Sequence, residues 1–213
     1  MLKRIIITTS LVALAYFLIP QLYSVAQVKK HIAKQTYENG DIIFQSSKSR
    51  QCQAVKYATH SDISHCGILF NDEGTWYVLE AVEPVQKVTL SEFIRRGTGQ
   101  HYTIKRTKDN LRLNDIQIEK MRAKGKSLIG KHYDIYFSWN NNEIYCSELV
   151  WKLYSEAGIE LCKTKKLKDF DLTNPLVIEM MKERYGSKVP YDEAVVAPSD
   201  IYHSDNLKLI EEK

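Results

Sequence analysis

The chain has 213 residues, 44% of them hydrophobic and 26% charged, with nine Gly, five Pro and four Cys. At about 100 to 200 residues per domain this fits one well-buried domain with some extension, and the composition excludes collagen-like, low-complexity, disordered and small disulfide-scaffold classes. The formal charge is +4, but Lys3 and Arg4 belong to an N-terminal leader, which leaves 28 basic against 26 acidic side chains and no nucleic-acid signature.

The leader covers residues 1–26. Lys3 and Arg4 precede an apolar run over residues 5–19, Pro20 breaks it, and Ser24-Val25-Ala26 supplies small residues before a cut. This is the pattern of a secretory signal and places the protein body in the periplasm or cell envelope. The competing reading is an uncleaved anchor helix, since residues 5–26 nearly reach the roughly 20 apolar residues of a span. Membrane contact is expected only in that case. Export leaves the four cysteines open to two disulfides in any of three pairings, or to roles as small buried hydrophobes. Their spacing, at Cys52, Cys66, Cys146 and Cys162 without a C-x-x-C, gives a zinc site little support.

Past the leader, Gly40-Asp41 turns into a short strand over residues 42–44, and a Ser-rich stretch introduces a helix over residues 51–59. Strands over residues 63–70 and 75–82 flank Asn71-Asp72-Glu73-Gly74, which is hairpin chemistry. Thr89-Leu90-Ser91-Glu92 has capping-box spacing and opens a helix that Gly97 ends. Residues 101–106 read as a strand, and Asn114 opens a longer helix that runs to Gly130. Another helix starts near Cys146, buries Leu149, Val150, Leu153 and Tyr154, and stops at Gly158; a last one runs from Asn174-Pro175 to Tyr185-Gly186. Strands followed by helices, without βαβ alternation, predict an α+β domain with an antiparallel sheet packed against helices. Residues 37–162 form the expected core, and residues 163–213 an extension packing on it, with walls of the substrate pocket drawn from residues 163–168 and the C-terminal tail.

The hairpin has a calculable register. A turn centred on Asp72-Glu73 sets His65 opposite Glu80, within hydrogen-bonding reach on one face. Both polar residues interrupt an otherwise apolar row, and Gly67 leaves space beside His65. A carboxylate there fixes the imidazole's tautomer and stabilises its charged form. The plain alternative is a structural cross-strand ion pair.

Cys146 falls where the polar, Asn-rich stretch Asn141-Asn142-Glu143 runs into an apolar-periodic helix. A helix N-terminus carries partial positive charge and unpaired N–H groups, which favour a thiolate and serve an oxyanion. The alternative is a buried Cys at a helix start. Together the residues permit a nucleophile, Cys146, a base, His65, and an orienting carboxylate, Glu80.

At these residues the chain resembles the permuted papain-like amidases of the YiiX/YaeF type, relatives of the NlpC cell-wall peptidases. The matching segments are Gly40-Asp41-Ile42-Ile43-Phe44-Gln45, Ala58-Thr59 through Ser64-His65-Cys66-Gly67-Ile68, Leu79-Glu80-Ala81-Val82, Tyr133-Asp134, Tyr145-Cys146-Ser147-Glu148-Leu149-Val150-Trp151 and Glu183-Arg184-Tyr185-Gly186. The resemblance implies a circularly permuted papain-like fold with the His strand ahead of the Cys helix, and a triad at Cys146, His65 and Glu80. It also makes Tyr133 and Tyr145 candidates for lining the site or helping an oxyanion hole. Cys66 stands where such motifs more usually hold an aliphatic residue; alternation points it away from His65, into packing or a disulfide with Cys52. The implied activity is amide hydrolysis of a peptide or cell-wall peptide through a Cys146 thioester, with no metal or organic cofactor. Acyl transfer from an N-acyl or other lipid, and a non-catalytic envelope binding module, are the rival functions.

Overall fold

Strand β1 (Ile42–Gln45) is buried along its whole length, as its unbroken apolar run requires. It lies between two antiparallel neighbours, β2 (His65–Asp72) and β5 (Thr103–Thr107). Around this centre, β3 (Thr75–Glu80), β4 (Gln86–Thr89) and β8 (Leu207–Glu212) complete a six-stranded sheet ordered β4-β3-β2-β1-β5-β8, with every neighbouring pair antiparallel. The computed structural model describes residues 37–140 and 142–213; the expected leader, residues 1–26, lies outside them.

Alternation along β2 divides the helices between two faces. Cys66, Ile68 and Phe70 join Ile42, Phe44 and Leu79 in one apolar cluster with Met121 and Leu128 of α3 (Asp115–Leu128) and Leu149 and Leu153 of α4 (Cys146–Glu156). The opposite face carries His65, Gly67 and Leu69 and is covered by α2 (Leu90–Arg96), whose Leu90, Phe93 and Ile94 are buried. Helices α1 (Arg50–Thr59) and α5 (Pro175–Tyr185) pack on each other, with Ala54, Val177 and Met180 in a separate apolar cluster.

Local signals place the helix starts. Ser49 accepts from the Cys52 N–H, Thr89 from the Glu92 N–H at 3.3 Å, and Asn114 and Gln117 form a reciprocal capping box. Pro175 occupies the first turn of α5 behind the Asn174 cap.

Two expectations are corrected. The hairpin pairs Asp72 with Thr75 and Ile68 with Leu79, so its turn is centred on Glu73-Gly74, two positions' pairing away from the expected register. The physical reason is the two-residue turn itself: Glu73 and Gly74 both have positive φ, at 50° and 84°, which matches the right-handed twist of paired strands. The second concerns residues 163–213. They are no peripheral extension: β8 is an outer strand of the main sheet, β7 (Ala194–Val195) pairs with β6 (Lys165–Lys166), and residues 37–213 form a single unit. The short strands β4, β6, β7 and β8 and the helix α6 (Pro198–Tyr202) are additions to the expected elements.

Candidate active site

The corrected register sets Glu80 across from Gly67, whose missing side chain leaves room that Val78 and Glu80 take up. His65 and Glu80 therefore meet diagonally instead of head-on, still on the same face, because a shift of two residues preserves the pleat. His65 Nε2 lies 2.7 Å from Glu80 Oε2. The other carboxylate oxygen accepts from Gln86 at 3.0 Å and from the Arg96 guanidinium. Burial would raise the Glu80 pKa, but its bonds to His65 and Arg96 hold it below the usual carboxylate value. Phe93 stacks on the His65 ring at 5.5 Å and 20°, fixing its plane.

With Nε2 committed to Glu80, the second ring nitrogen is left for Cys146. The cysteine is the first residue of α4, buried, and bonded to His65. A hydrogen bond from Cys66 is the strongest influence drawing its pKa well below the free-thiol value; burial opposes this, and the bond and charge of His65 reinforce it. For His65, burial works against the charged ring, yet Cys146 and Glu80 overcome it and raise the pKa to about 10. Both shifts run in the direction that favours a thiolate–imidazolium pair.

Cys66 departs from its expected role. Alternation does turn it away from His65, but α4 lies on that side, so the thiol meets Cys146. Burial and the neighbouring thiolate push Cys66 well above its ordinary pKa, so it keeps its proton and donates. All four cysteines are free thiols, and the disulfide considered for Cys52 and Cys66 is not formed. Cys52 instead lies 3.1 Å from Ser47 Oγ.

Tyr133 reaches the same point. Buried Asp134 accepts from the N–H groups of Tyr136 and Ser138, both at 2.8 Å, and so folds the loop that carries the tyrosine. Burial first, and then the Cys146 thiolate, raise the Tyr133 pKa well above its ordinary value, and its hydroxyl bonds to Cys146. Its donor direction is set from behind. Arg184, which can only donate, bonds Gln51 Oε1 at 3.0 Å; Gln51 Nε2 then donates to the Tyr133 oxygen at 2.6 Å, leaving the phenolic proton for sulfur. Tyr145 takes a different part. It precedes α4, its ring meets Phe137 edge-on at 5.2 Å, and its hydroxyl accepts from the Val196 N–H at 3.2 Å. Ser147 Oγ donates to the Val196 carbonyl at 2.8 Å, so two bonds strap the C-terminal segment to the start of the helix.

Sequence reasoning missed Gln51, Gln86, Arg96 and Arg184. Arg96 lies in the last turn of α2 and Arg184 in a family-like segment, but neither position announces its partner. Asp41, read as a turn residue, is buried against Arg106 at 2.6 Å. His60 and His132 pair with Asp171 and Glu83 away from the site. A cleft beside Cys146 is walled by α1, α5 and the strapped C-terminal segment, and Leu167, Val195 and Val196 line it.

This geometry agrees with comparisons to known proteins. Residues 36–211 match the family described as permuted papain-like amidase enzyme, YaeF/YiiX, C92 family. The chain is 40% identical over 174 residues to the uncharacterized protein YiiX of Escherichia coli (strain K12), covering 81% of this chain and 85% of that one. A crystal structure of yiiX from Escherichia coli O157:H7, described as a metalloprotein, superposes with a TM-score of 0.79 at 41% identity, over 83% of this chain and 97% of the other. A His strand ahead of a Cys helix on an antiparallel sheet is the permuted order, and the chain belongs to the permuted papain-like amidases of the YaeF/YiiX type.

Proposed function

We propose that the protein is a cysteine amidase working through a thioester on Cys146, with His65 as acid and base and Glu80 as the residue that orients His65. The observation that carries this reading is the His65 ring, held by Glu80 at Nε2 and bonded on its other side to a thiol at a helix start. Cys146 Sγ attacks the amide carbonyl, and the oxyanion is met by first-turn N–H groups of α4 and by the Tyr133 hydroxyl. His65 passes its proton to the departing nitrogen, then takes one from water as the thioester is hydrolysed. The leader sequence supports an envelope setting for this chemistry.

The relative from Escherichia coli O157:H7 is described as a metalloprotein. Among the described residues here, no group of three or more His, Cys, Asp or Glu side chains is disposed to hold a metal, and both Glu80 oxygens are engaged by His65, Gln86 and Arg96. These residues do not fit a metal centre, and no step above runs through one.

The test is labelling with a chloroacetamide probe under reducing conditions, followed by peptide mapping. Wild type is expected to label at Cys146 and the Cys146→Ala variant to lose that label together with amide turnover. Equal labelling of the two proteins contradicts the nucleophile assignment.

A further inference from the structure

We infer that Cys66 is a resolving thiol: a peroxide oxidises Cys146, and Cys66 then closes on it in a reversible disulfide that masks the nucleophile, a regulation that rests on the amidase reading above.

The backbone of β2 brings the two sulfurs together. Its N–H groups alternate between the neighbours on either side. The Leu69 N–H bonds to the carbonyl of Asp41, just ahead of β1, at 2.8 Å, so the N–H of Cys66, three residues earlier, turns the other way. On that side the pairing with β3 begins at Ile68 and Leu79, which leaves Cys66 beyond the end of the ladder. Cys146 takes that place. Its sulfur accepts hydrogen bonds from both the backbone N–H and the thiol of Cys66, and it is bonded as well to His65, whose side chain lies on the opposite face of β2. Both thiols are free in the resting protein, so the sulfurs are neighbours without being joined.

The two sulfurs differ in what each can do. Cys146 lines the cleft, where a molecule as small as a peroxide can reach it, and the charge of His65 favours its thiolate, the form that attacks an oxidant. Cys66 is fully buried in the apolar cluster and keeps its proton, so it is shielded from oxidants in solvent and meets an oxidised sulfur at Cys146. Cys52, the thiol that could compete, is turned instead to Ser47 Oγ at 3.1 Å.

The steps balance with hydrogen peroxide as the oxidant that takes up two electrons. The Cys146 thiolate attacks one peroxide oxygen; the S–O bond forms as the O–O bond breaks, and the departing hydroxide takes the His65 proton to become water. Cys146 is then a sulfenic acid. The Cys66 sulfur attacks the Cys146 sulfur; the S–S bond forms as the S–O bond breaks, and the Cys66 proton leaves with the hydroxide as a second water. Each sulfur has given up one electron, and a dithiol reductant reverses the change. Without Cys66 the sulfenic acid meets further peroxide and advances to sulfinic acid, which thiols do not reduce.

The test uses the chain carrying residues 1–213, reduced, desalted and treated with hydrogen peroxide. Remaining thiols are blocked with N-ethylmaleimide and the unreduced peptides mapped by mass spectrometry. The expected product is a linked pair of peptides carrying Cys66 and Cys146, two hydrogens lighter than the separate thiol peptides. Dithiothreitol is expected to restore chloroacetamide labelling at Cys146 to about nine-tenths of the untreated value or more. In Cys66→Val and in Cys66→Ser the same treatment should leave Cys146 as sulfinic acid, with less than about a tenth of the labelling restored. The wild-type map requires neither variant and no turnover, so it decides the matter even where a variant fails to fold. Wild-type Cys146 recovered as free thiol or sulfinic acid, or linked to Cys52 or Cys162, overturns the resolving role and leaves the amidase reading standing. So does recovery of both folded variants equal to that of wild type. A Cys146 that reacts with neither chloroacetamide nor peroxide overturns the amidase reading, and the resolving role with it.

Discussion

Cys146 and His65 arrive at one point from elements of different kinds. Cys146 is delivered by a helix start, where Tyr145, Ser147 and Glu148 lie within three residues of it and set the position locally. His65 is delivered by strand pairing: its position depends on β1, on the hairpin turn that begins eight residues further on, and on Glu80 and Arg96, which come from two other elements. The helix side contributes a field and unpaired N–H groups that any residue there would feel. The strand side contributes a specific charged arrangement that exists only in one register. Damage on the strand side is therefore expected to act on the nucleophile at a distance, through loss of the imidazolium, while damage on the helix side acts on the fold around the cysteine.

The largest break is His65→Ala. Amide turnover is expected to fall by about 10⁴-fold, and the Cys146 titration to move up part of the way towards the ordinary thiol value, because the Cys66 hydrogen bond, the strongest influence lowering it, stays while the bond and charge of His65 are lost. Next is Glu80→Gln, which keeps the shape but removes the negative charge facing His65 and Arg96. Turnover should drop by about 10²-fold, with the alkaline limb of the pH–rate profile moving below the value near 10 set by His65. Gly67→Ala tests the pairing without touching a reacting group. A methyl at that position would lie 2.5 Å from Val78 Cγ1 and 2.8 Å from the Leu79 carbonyl, so denaturant unfolding should show a loss of about 1–3 kcal/mol.

The smallest effect belongs to the helix side. Buried Glu148 caps the Tyr145 N–H at 3.3 Å and pairs with Lys152 at 2.6 Å, and burial, which outweighs that pair, pushes its pKa up to about 7. A raised carboxyl pKa stabilises the fold at low pH, and that contribution is lost as pH rises from the unfolded value, near 4.5, through about 7. Wild type should lose a few degrees of Tm over that range for this reason, and Glu148→Gln should show a flatter profile.

The same contrast explains what could be read from the residues alone. Helix starts at Thr89, Asn114 and Asn174 carry their signals within four residues, and each appears where expected. The start at Cys146 was legible from the polar-to-apolar change before it. The His65–Glu80 pair was legible as a pair on one face but not as a register, since the turn centre depends on which residues accept positive φ, and Glu73 did so beside Gly74. Strand β8 was missed because its residues are largely half-exposed or exposed at the sheet edge, with little apolar alternation to mark them. Cys66, Gln51 and Arg184 owe their roles to contacts across 80, 82 and 133 residues of chain, distances at which spacing carries no signal.

The central claim is that Cys146 rests as a thiolate paired with charged His65. Its most direct test is the rate of iodoacetamide alkylation against pH, read by mass spectrometry at each cysteine-containing peptide. Cys162, whose thiol burial pushes up to about 12, is the internal reference. The expected result is a Cys146 midpoint well below the ordinary thiol value of 9, rising towards it in His65→Ala. A wild-type Cys146 midpoint at or above 9, unchanged by removing His65, would contradict the account.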